Sequence, residues 1–414
     1  MALDDRSEYQ ELLADCSSHQ VVAYGEVYTP LSLCEEMLDA LPARVWNNPS
    51  LRWFEPACGL APFLYIVYQR LMRGLVAVFP DTESRRKHIL EQMLYFNEIQ
   101  AKNVVVVREV FQSERYRLNI WEGSFFEVVP VDFKADVVVG NPPYNMNGNK
   151  STGNIIWHKF VERVLTGGLL NPNGWLVFIH PPPWRKPTTN RSQVKGIYKL
   201  LTQTNQMLHL EMYDTKAGES TFKCGTKYDW YVVERKVRYT TTSVRDEQGG
   251  RHDLDLNDWP WLPNALFTHI ATLLCGGDTP QPVLYNCFYH ANHKQRVVDQ
   301  PSSEYSFPLI HSTPKTGARL KYTNAKVPND VMYGVPKVIC GESSLQSVVN
   351  DYRGEYATTQ GAFALPITDS NDGDMLVAVL QSPEFSAVLK ACTWGNFRID
   401  WCLFTSFRQG FWRI

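Results

Sequence analysis

Asp136-Val137-Val138-Val139-Gly140-Asn141-Pro142-Pro143-Tyr144 is the stretch from which the fold of this chain is read. A short apolar run closed by glycine predicts a fully buried strand. Two consecutive prolines then fix their φ angles and remove two N–H donors. The residue before each is pushed towards extended backbone. The result is a stiff loop at a strand's carboxyl end. It presents three groups in fixed directions: the Asn141 side-chain oxygen, the Pro142 carbonyl and the Tyr144 ring. Two acceptors and an aromatic face match an exocyclic amino group on a planar base. Each acceptor takes one N–H, so the nitrogen lone pair leaves ring conjugation and points at an electrophile. Asn-Pro also marks ordinary surface turns, so the position directly after a strand carries the weight.

The pattern repeats outward. Arg52 to Ala57 reads as a strand entering a turn, and Phe63 to Val78 as a helix. Glu91 to Glu98 has a strand-like centre and Asn103 to Val110 reads as helical. Trp175 to His180 and Asp229 to Glu234 are further strands, and Leu31 to Leu41 has apolar residues at helical spacing. Strand, loop and helix in alternation predict an α/β fold with a mostly parallel, doubly wound sheet of Rossmann-like type. Such sheets bind ligands at the carboxyl ends of their strands. Phe54-Glu55-Pro56-Ala57-Cys58-Gly59-Leu60-Ala61-Pro62-Phe63 lies between a strand and a helix. A small-residue turn there lets backbone N–H groups approach a ligand beside the positive helix terminus. No GxGxxG is present, and a plain strand–helix turn reads the same way. The polar stretch Arg245 to Asn264 predicts a linker over 245–264. It separates a first domain, 1–244, from a mixed α+β second domain, 265–414, with helices at Ala265–Leu274 and Leu376–Ala391.

The 414 residues carry 41 basic and 43 acidic side chains and are 44% hydrophobic, so the chain has ample material for two cores. No apolar run is long enough for a membrane span. The acidic start, without an apolar core, is no signal peptide, which predicts a cytoplasmic protein with no membrane partner. Nine cysteines without a CxxC spacing read as reduced thiols. His290 and His293 lack a supporting cluster, so no metal site is expected.

Taken in order, these motifs resemble the adenine-N6 DNA methyltransferases whose cofactor motif comes first and target recognition last. The opening motif matches Gly25-Glu26-Val27-Tyr28-Thr29-Pro30, and the next matches Glu55 to Phe63. A ribose-binding acid after the second strand fits Glu98, and the third motif fits Gly123-Ser124-Phe125-Phe126. The catalytic loop is Asn141 to Tyr144. The aromatic residue facing a flipped base fits Phe222 within Ser220-Thr221-Phe222-Lys223-Cys224-Gly225. The resemblance covers the first 240 residues. It implies S-adenosylmethionine as cofactor, held by Tyr28, Thr29, Pro30, Glu55, Pro56, Ala57, Cys58, Gly59, Glu98, Ile99, Ser124, Phe125 and Asn141. It implies catalysis by Asn141, Pro142, Pro143, Tyr144 and Phe222, with the target adenine turned out of double-stranded DNA. Two positions depart from the family pattern. Ser124 stands where an acid is usual, and Ala61 where a second glycine is usual. Related loops act on RNA bases and on protein glutamine amides, and a catalytically silent DNA-binding subunit is a further alternative. A separate cognate endonuclease fits better than a fused one, for which no segment remains.

Contacts to DNA are less visible. Arg185, Lys186, Arg191, Lys195 and Lys199 run without an acid between them after the strand Trp175–His180. They read as a phosphate-contacting loop or as a solvated surface. Lys315, Arg319 and Lys321, with Lys294, Arg296, Lys326 and Lys337 near them, form a second basic stretch interleaved with Tyr305, Tyr322 and Tyr333. The aromatic run Trp394 to Trp412 reads as core, with stacking on DNA as the alternative. Splitting at residue 240 gives 27 basic against 26 acidic residues, then 14 against 17. Neither part is a basic domain, so affinity for random DNA is expected to be modest and salt-sensitive.

Overall fold

The computed structural model describes residues 3, 5–14, 29–146, 155–189, 192–237, 239–285, 288–292, 295–326, 331–395 and 398–413. The chain divides into two units. One is Met1–Trp184 with Asn190–Trp259, and the other is Arg185–Thr189 with Pro260–Ile414.

The first unit is built on nine strands: β1 Trp53–Glu55, β2 Leu94–Glu98, β3 Asn119–Glu122, β4 Ala135–Gly140, β5 Leu170–His180, β6 Gln206–Tyr213, β7 Tyr228–Glu234, β8 Thr242–Arg245 and β9 Arg251–Leu254. They lie in the order β3-β2-β1-β4-β5-β7-β6-β8-β9. The pairs β1–β2, β2–β3, β1–β4, β4–β5 and β6–β8 are parallel, and β7 runs antiparallel between β5 and β6. This is the mostly parallel α/β sheet read from the sequence. Val137, Val138 and Val139 are fully buried at its centre. A strand covered on both faces reads as a continuous apolar run for that reason.

One face packs against the helices Leu31–Asp39 and Pro62–Gly74 through a core that includes Met37, Leu38, Phe63, Leu64, Val67 and Trp53. Phe54 points to the other face and meets Phe125 and Phe133. From β1 the sheet order proceeds through β2 and β3 on one side, and from β4 through β5 on the other. The chain therefore opens a crevice between the carboxyl ends of β1 and β4, where open α/β sheets take ligands. The antiparallel β7 begins beside that edge, with Asp229 opposite His180 and Tyr228 opposite Tyr213.

The first ten residues of the expected linker at 245–264 are structured, while the division between the units falls within its remainder. Arg245 closes β8 and Arg251–Leu254 form β9, an antiparallel hairpin at the sheet edge. Its turn is built by Asp246, whose carboxylate accepts the N–H groups of Gln248 at 2.9 Å and Gly250 at 2.8 Å. Gly249 supplies the left-handed φ of 87°. Polar composition here marks an edge hairpin, where charges protect an exposed strand, and the division falls at Trp259 and Pro260.

The second unit is mixed α+β. One sheet holds β10 Val297–Val298, β12 Arg319–Thr323, β11 Phe307–Ser312 and β15 Ala357–Thr358, in that order. The other holds β14 Ser344–Asp351, β13 Lys337–Gly341 and β16 Ala362–Pro366. The helix expected at Leu376–Ala391 is two helices, Ser370–Leu380 and Pro383–Ala391. Proline cannot sit inside a helix but starts one well, and the Ser382 hydroxyl caps the second by accepting from Phe385 N–H at 3.1 Å. Trp394, Phe404, Phe407, Phe411 and Trp412 are buried, as a core reading of the terminal aromatics requires.

Candidate functional site

Three loops meet the switch-point edge of the first unit. The first follows β1. Gly59 and Ala61 both adopt left-handed backbone, with φ of 55° and 63°. They turn the chain into the helix Pro62–Gly74, which starts with proline at its first position. Glu55 is buried at the end of β1 and accepts the N–H of Leu64 at 3.3 Å, inside the first turn of that helix. Burial pushes the Glu55 carboxyl well above its ordinary range. The Leu64 N–H opposes this and the nearby Glu98 adds to it.

The second loop follows β2. Glu98 spans two turns, accepting Gly59 N–H at 2.8 Å through one oxygen and Gln100 N–H at 2.8 Å through the other. A carboxylate oxygen accepts more than one hydrogen bond, so these contacts are compatible with a ligand hydroxyl at the same group. Ile99, directly after it, is an aliphatic side chain left 66% exposed. Asn97 donates to the carbonyls of Trp121 at 3.0 Å and Gly123 at 3.1 Å, which locks the turn after β3 onto β2. Gly123 has φ 128°, and a Cβ there would lie 2.7 Å from a Val128 methyl, so glycine is required. Ser124 leads into the four-residue helix Phe125–Val128 and its hydroxyl makes no capping bond. Phe125 is buried, with Phe160 stacked on it at 5.0 Å between ring centroids.

The third loop follows β4. The Asn141 amide donates to the Thr29 hydroxyl at 3.2 Å, and its carbonyl oxygen is buried without a partner among the described residues. No hydrogen bond from the described residues reaches the Pro142 carbonyl. Pro142 is buried and Pro143 exposed. Burial pushes the Tyr144 hydroxyl far up. Cys224, Tyr228 and Asp229 add to this, and the Asn141 side chain opposes it. Those neighbours bring the segment after the helix Thr215–Phe222 to the same place. Phe222 ends that helix, buried and edge-on to Tyr228 at 5.0 Å. Thr29 is buried and Pro30 leads into the helix Leu31–Asp39. Tyr28, with Gly25 to Val27, lies outside the described residues. Pro56 and Cys58 are buried and Ala57 is half-buried. Burial drives the Cys58 thiol up, away from thiolate chemistry.

Tyr9 had no signal in the sequence. Its hydroxyl donates to the Leu60 carbonyl at 2.7 Å and its ring stacks on Tyr65 at 3.9 Å. It therefore pins the loop after β1 from outside.

The basic stretches fare differently. Arg185 is 1% exposed. It donates to the carbonyls of Leu262 at 3.3 Å and Pro263 at 3.0 Å and to the Asn264 side chain at 2.9 Å. It holds the second unit together and is not available to a phosphate, which corrects that expectation. Lys186 lies 4.0 Å from Asp400. Lys195 is exposed and Arg191 lies outside the described residues. In the second unit Lys315 and Arg319 are exposed, while Lys321 pairs with Asp299 at 2.5 Å. Lys337 is fully buried against Asp351 at 2.5 Å, opposite it across β13 and β14. Among the described residues no three His, Cys, Asp or Glu side chains could share a metal ion, and no helix is long and apolar enough to cross a membrane.

The family model described as Eco57I restriction-modification methylase matches residues 67–217. An uncharacterized adenine-specific methylase of Mycoplasma pneumoniae is 39% identical over 77 residues, which is 18% of this chain and 18% of that protein. The chain resembles the adenine-N6 DNA methyltransferases. Two similar solved structures are a type IIL restriction-modification enzyme, MmeI, in complex with DNA, and a modification subunit of a putative type I restriction enzyme from Vibrio vulnificus. The first is 11% identical with a TM-score of 0.49, over 90% of this chain and 65% of that one. The second is 14% identical with a TM-score of 0.42, over 57% and 50%. The chain thus spans less than two thirds of each of these relatives. The methylase match contains Glu98, Ser124 and Asn141 to Tyr144, and leaves Glu55 and Phe222 outside.

Proposed function

We propose that this chain transfers a methyl group from S-adenosylmethionine to N6 of an adenine turned out of double-stranded DNA. The observation that carries this reading is the buried Asn141 oxygen on the loop after β4, without a partner among the described residues, next to the Pro142 carbonyl, which accepts nothing from them either. Burying such atoms without partners costs free energy, and a base amino group supplies the missing donor. The match to a relative described as an adenine-specific methylase supports the choice of adenine.

The residues present fit the cofactor. Glu98 can accept a ribose diol beside its two backbone donors, and the buried Glu55 acquires a stabilising partner when a sulfonium cation lies nearby. When bound, the cofactor supplies an electrophilic methyl group. The chain's own part is positioning. Asn141 and the Pro142 carbonyl accept the two N–H groups of the amine and hold its lone pair in line. Turning the base out costs a few kcal/mol. Stacking on Tyr144, with Phe222 behind it, offsets this by about 1–3 kcal/mol per ring contact. No strong base is needed before attack, because the alkylated nitrogen becomes acidic and then releases its proton. The Ser124 hydroxyl, free of capping duty, replaces the usual acid as acceptor at the adenine edge of the cofactor, as a weaker one. Exposed Lys315 and Arg319 of the second unit serve the DNA backbone.

The test is to incubate the purified chain with methyl-labelled cofactor and DNA and to identify the labelled product by mass spectrometry. N6-methyladenine is expected, with Asn141→Ala and Tyr144→Ala each lowering turnover by about 10²–10³-fold or more, and with cofactor binding persisting in Tyr144→Ala. Label appearing only in RNA or on protein glutamine, or no label with any DNA, overturns the reading.

A further inference from the structure

The helix Phe125–Val128 is one turn long. A single turn does not hold itself, because nucleation costs more than one turn of hydrogen bonds returns. Ser124 accepts the N–H groups of Glu127 and Val128, and so short a helix leaves its last carbonyls little chance of partners along the chain. Arg163 supplies what is missing. One guanidinium nitrogen donates to the Phe125 carbonyl and the other to the Val129 carbonyl, the latter at 2.7 Å. The guanidinium carbon lies 4.4 Å from the Phe125 ring centroid and 5.9 Å from that of Phe126. Phe160, one turn earlier on the helix Trp157–Leu165, stacks on Phe125 and meets Phe126 edge-on at 4.9 Å. No carboxylate pairs with Arg163 among the described residues, and burial alone lowers its pKa. A partly buried cation kept without an acid needs another reason to be there. Its donors are spent on backbone carbonyls of a motif loop.

The other end of the same helix reaches the catalytic loop. Ile156, the residue before Trp157, donates its N–H to the Tyr144 carbonyl at 3.0 Å. One short helix is therefore tied to both the Ser124–Phe125 turn and the Asn141–Tyr144 loop.

We propose that Arg163 is a positioning residue for cofactor binding, setting the Ser124–Phe125 turn through the carbonyls of Phe125 and Val129. This rests on the methyltransferase reading given above. Losing two such hydrogen bonds at a site that must be preformed predicts about tenfold or more weaker cofactor binding.

The test uses the full chain with S-adenosylmethionine in calorimetry, then in steady-state methylation of DNA. Arg163→Ala is expected to raise the cofactor dissociation constant and KM by about tenfold or more, with kcat at saturating cofactor changed by less than about threefold. Arg163→Lys, with one compact donor group in place of the fork, recovers part of the loss. Hydrogen exchange accelerates over 124–129 and not over 54–59. If Arg163→Ala fails to fold, the Lys variant decides on the same readouts. Unchanged cofactor affinity in a folded variant overturns the assignment. So does a loss confined to DNA affinity with a smaller salt slope, which would make Arg163 a phosphate contact. If the unsubstituted chain binds and uses the cofactor, either result counts against Arg163 alone. If it binds none, the underlying reading fails and this assignment falls with it.

Discussion

The ends of β2 and β5 each bring up a charged residue, Glu98 closing the first strand and Arg185 in the loop after the second. Both read from the sequence as ligand contacts, and both are buried, at 5% and 1% exposure. The structure separates them by what their polar atoms already do. Glu98 takes one backbone N–H on each oxygen, from Gly59 and Gln100, and a carboxylate oxygen so engaged can accept again at the crevice edge. Arg185 spends its donors on Leu262, Pro263 and Asn264 of its own unit. The sign of a charge and its place near a strand's end do not tell whether the chain has claimed it. The local backbone does.

Substituting Arg185 gives the largest expected effect. Arg185→Met leaves two carbonyls and the Asn264 side chain buried without donors, which costs about 3 kcal/mol or more. A clear fall in the melting temperature of the full chain checks this, with DNA affinity of the folded fraction unchanged. The double variant Lys315→Ala/Arg319→Ala should do the reverse. Both side chains are exposed, so stability holds while DNA affinity and its salt slope both fall. If Arg185→Met melts normally and binds DNA weakly, the comparison is wrong.

That contrast also marks how far the sequence reaches. Val137–Val139, the Asn141–Tyr144 loop and the order of strands were legible because backbone rules act locally: prolines fix φ, and buried strands read as apolar runs. The hairpin at 242–254 was not, because its edge strand Arg251–Leu254 buries no residue and looks like a polar loop. The single predicted helix Leu376–Ala391 hid a stop that Ser382-Pro383 announces only once its capping bond is seen. Tyr9, Asn97 and Arg163 act through carbonyls far away in sequence, and no spacing rule could have pointed to them. Lys337 counted among surface cations because its partner, Asp351, lies across a strand pair that composition cannot show.

A second test sets Glu55 against Glu98, two acids of one site. Burial raises the Glu55 pKa well above its ordinary 4.5. Below that ordinary value both folded and unfolded chains are protonated and nothing is lost. As pH rises above it, the unfolded chain ionises while the folded one holds its proton, so this group removes stability with rising pH until its folded pKa is passed. A tenfold difference in proton affinity between the two states is worth about 1.4 kcal/mol. Glu55→Gln should therefore melt higher than the parent at pH 7, with the gap closing towards pH 4. It should also weaken binding of the cationic cofactor. A pH-independent gap would show that Glu55 is ionised in the free protein.

The smallest effect lies within the loop after β1, between Gly59 and Ala61. Both are left-handed, yet only one is glycine. An alanine at φ 63° carries a steric penalty of about 1 kcal/mol, which glycine avoids. Against this, Ala61 is fully buried in the core, and its methyl contributes about 0.8 kcal/mol that glycine forfeits. Glycine also loses more backbone entropy on folding. Ala61→Gly is therefore expected to change stability by only about 0.5 kcal/mol in either direction. Gly59→Ala adds strain with no buried methyl already in place and should cost about 1 kcal/mol. The same substitution brings a Cβ to the loop that Glu98 holds by its N–H, so it should weaken cofactor binding as well. Denaturant melts and calorimetry on the two variants measure both effects. A gain of about 1 kcal/mol on Ala61→Gly would instead mean that the Ala61 methyl contributes nothing to the packing to offset its left-handed backbone.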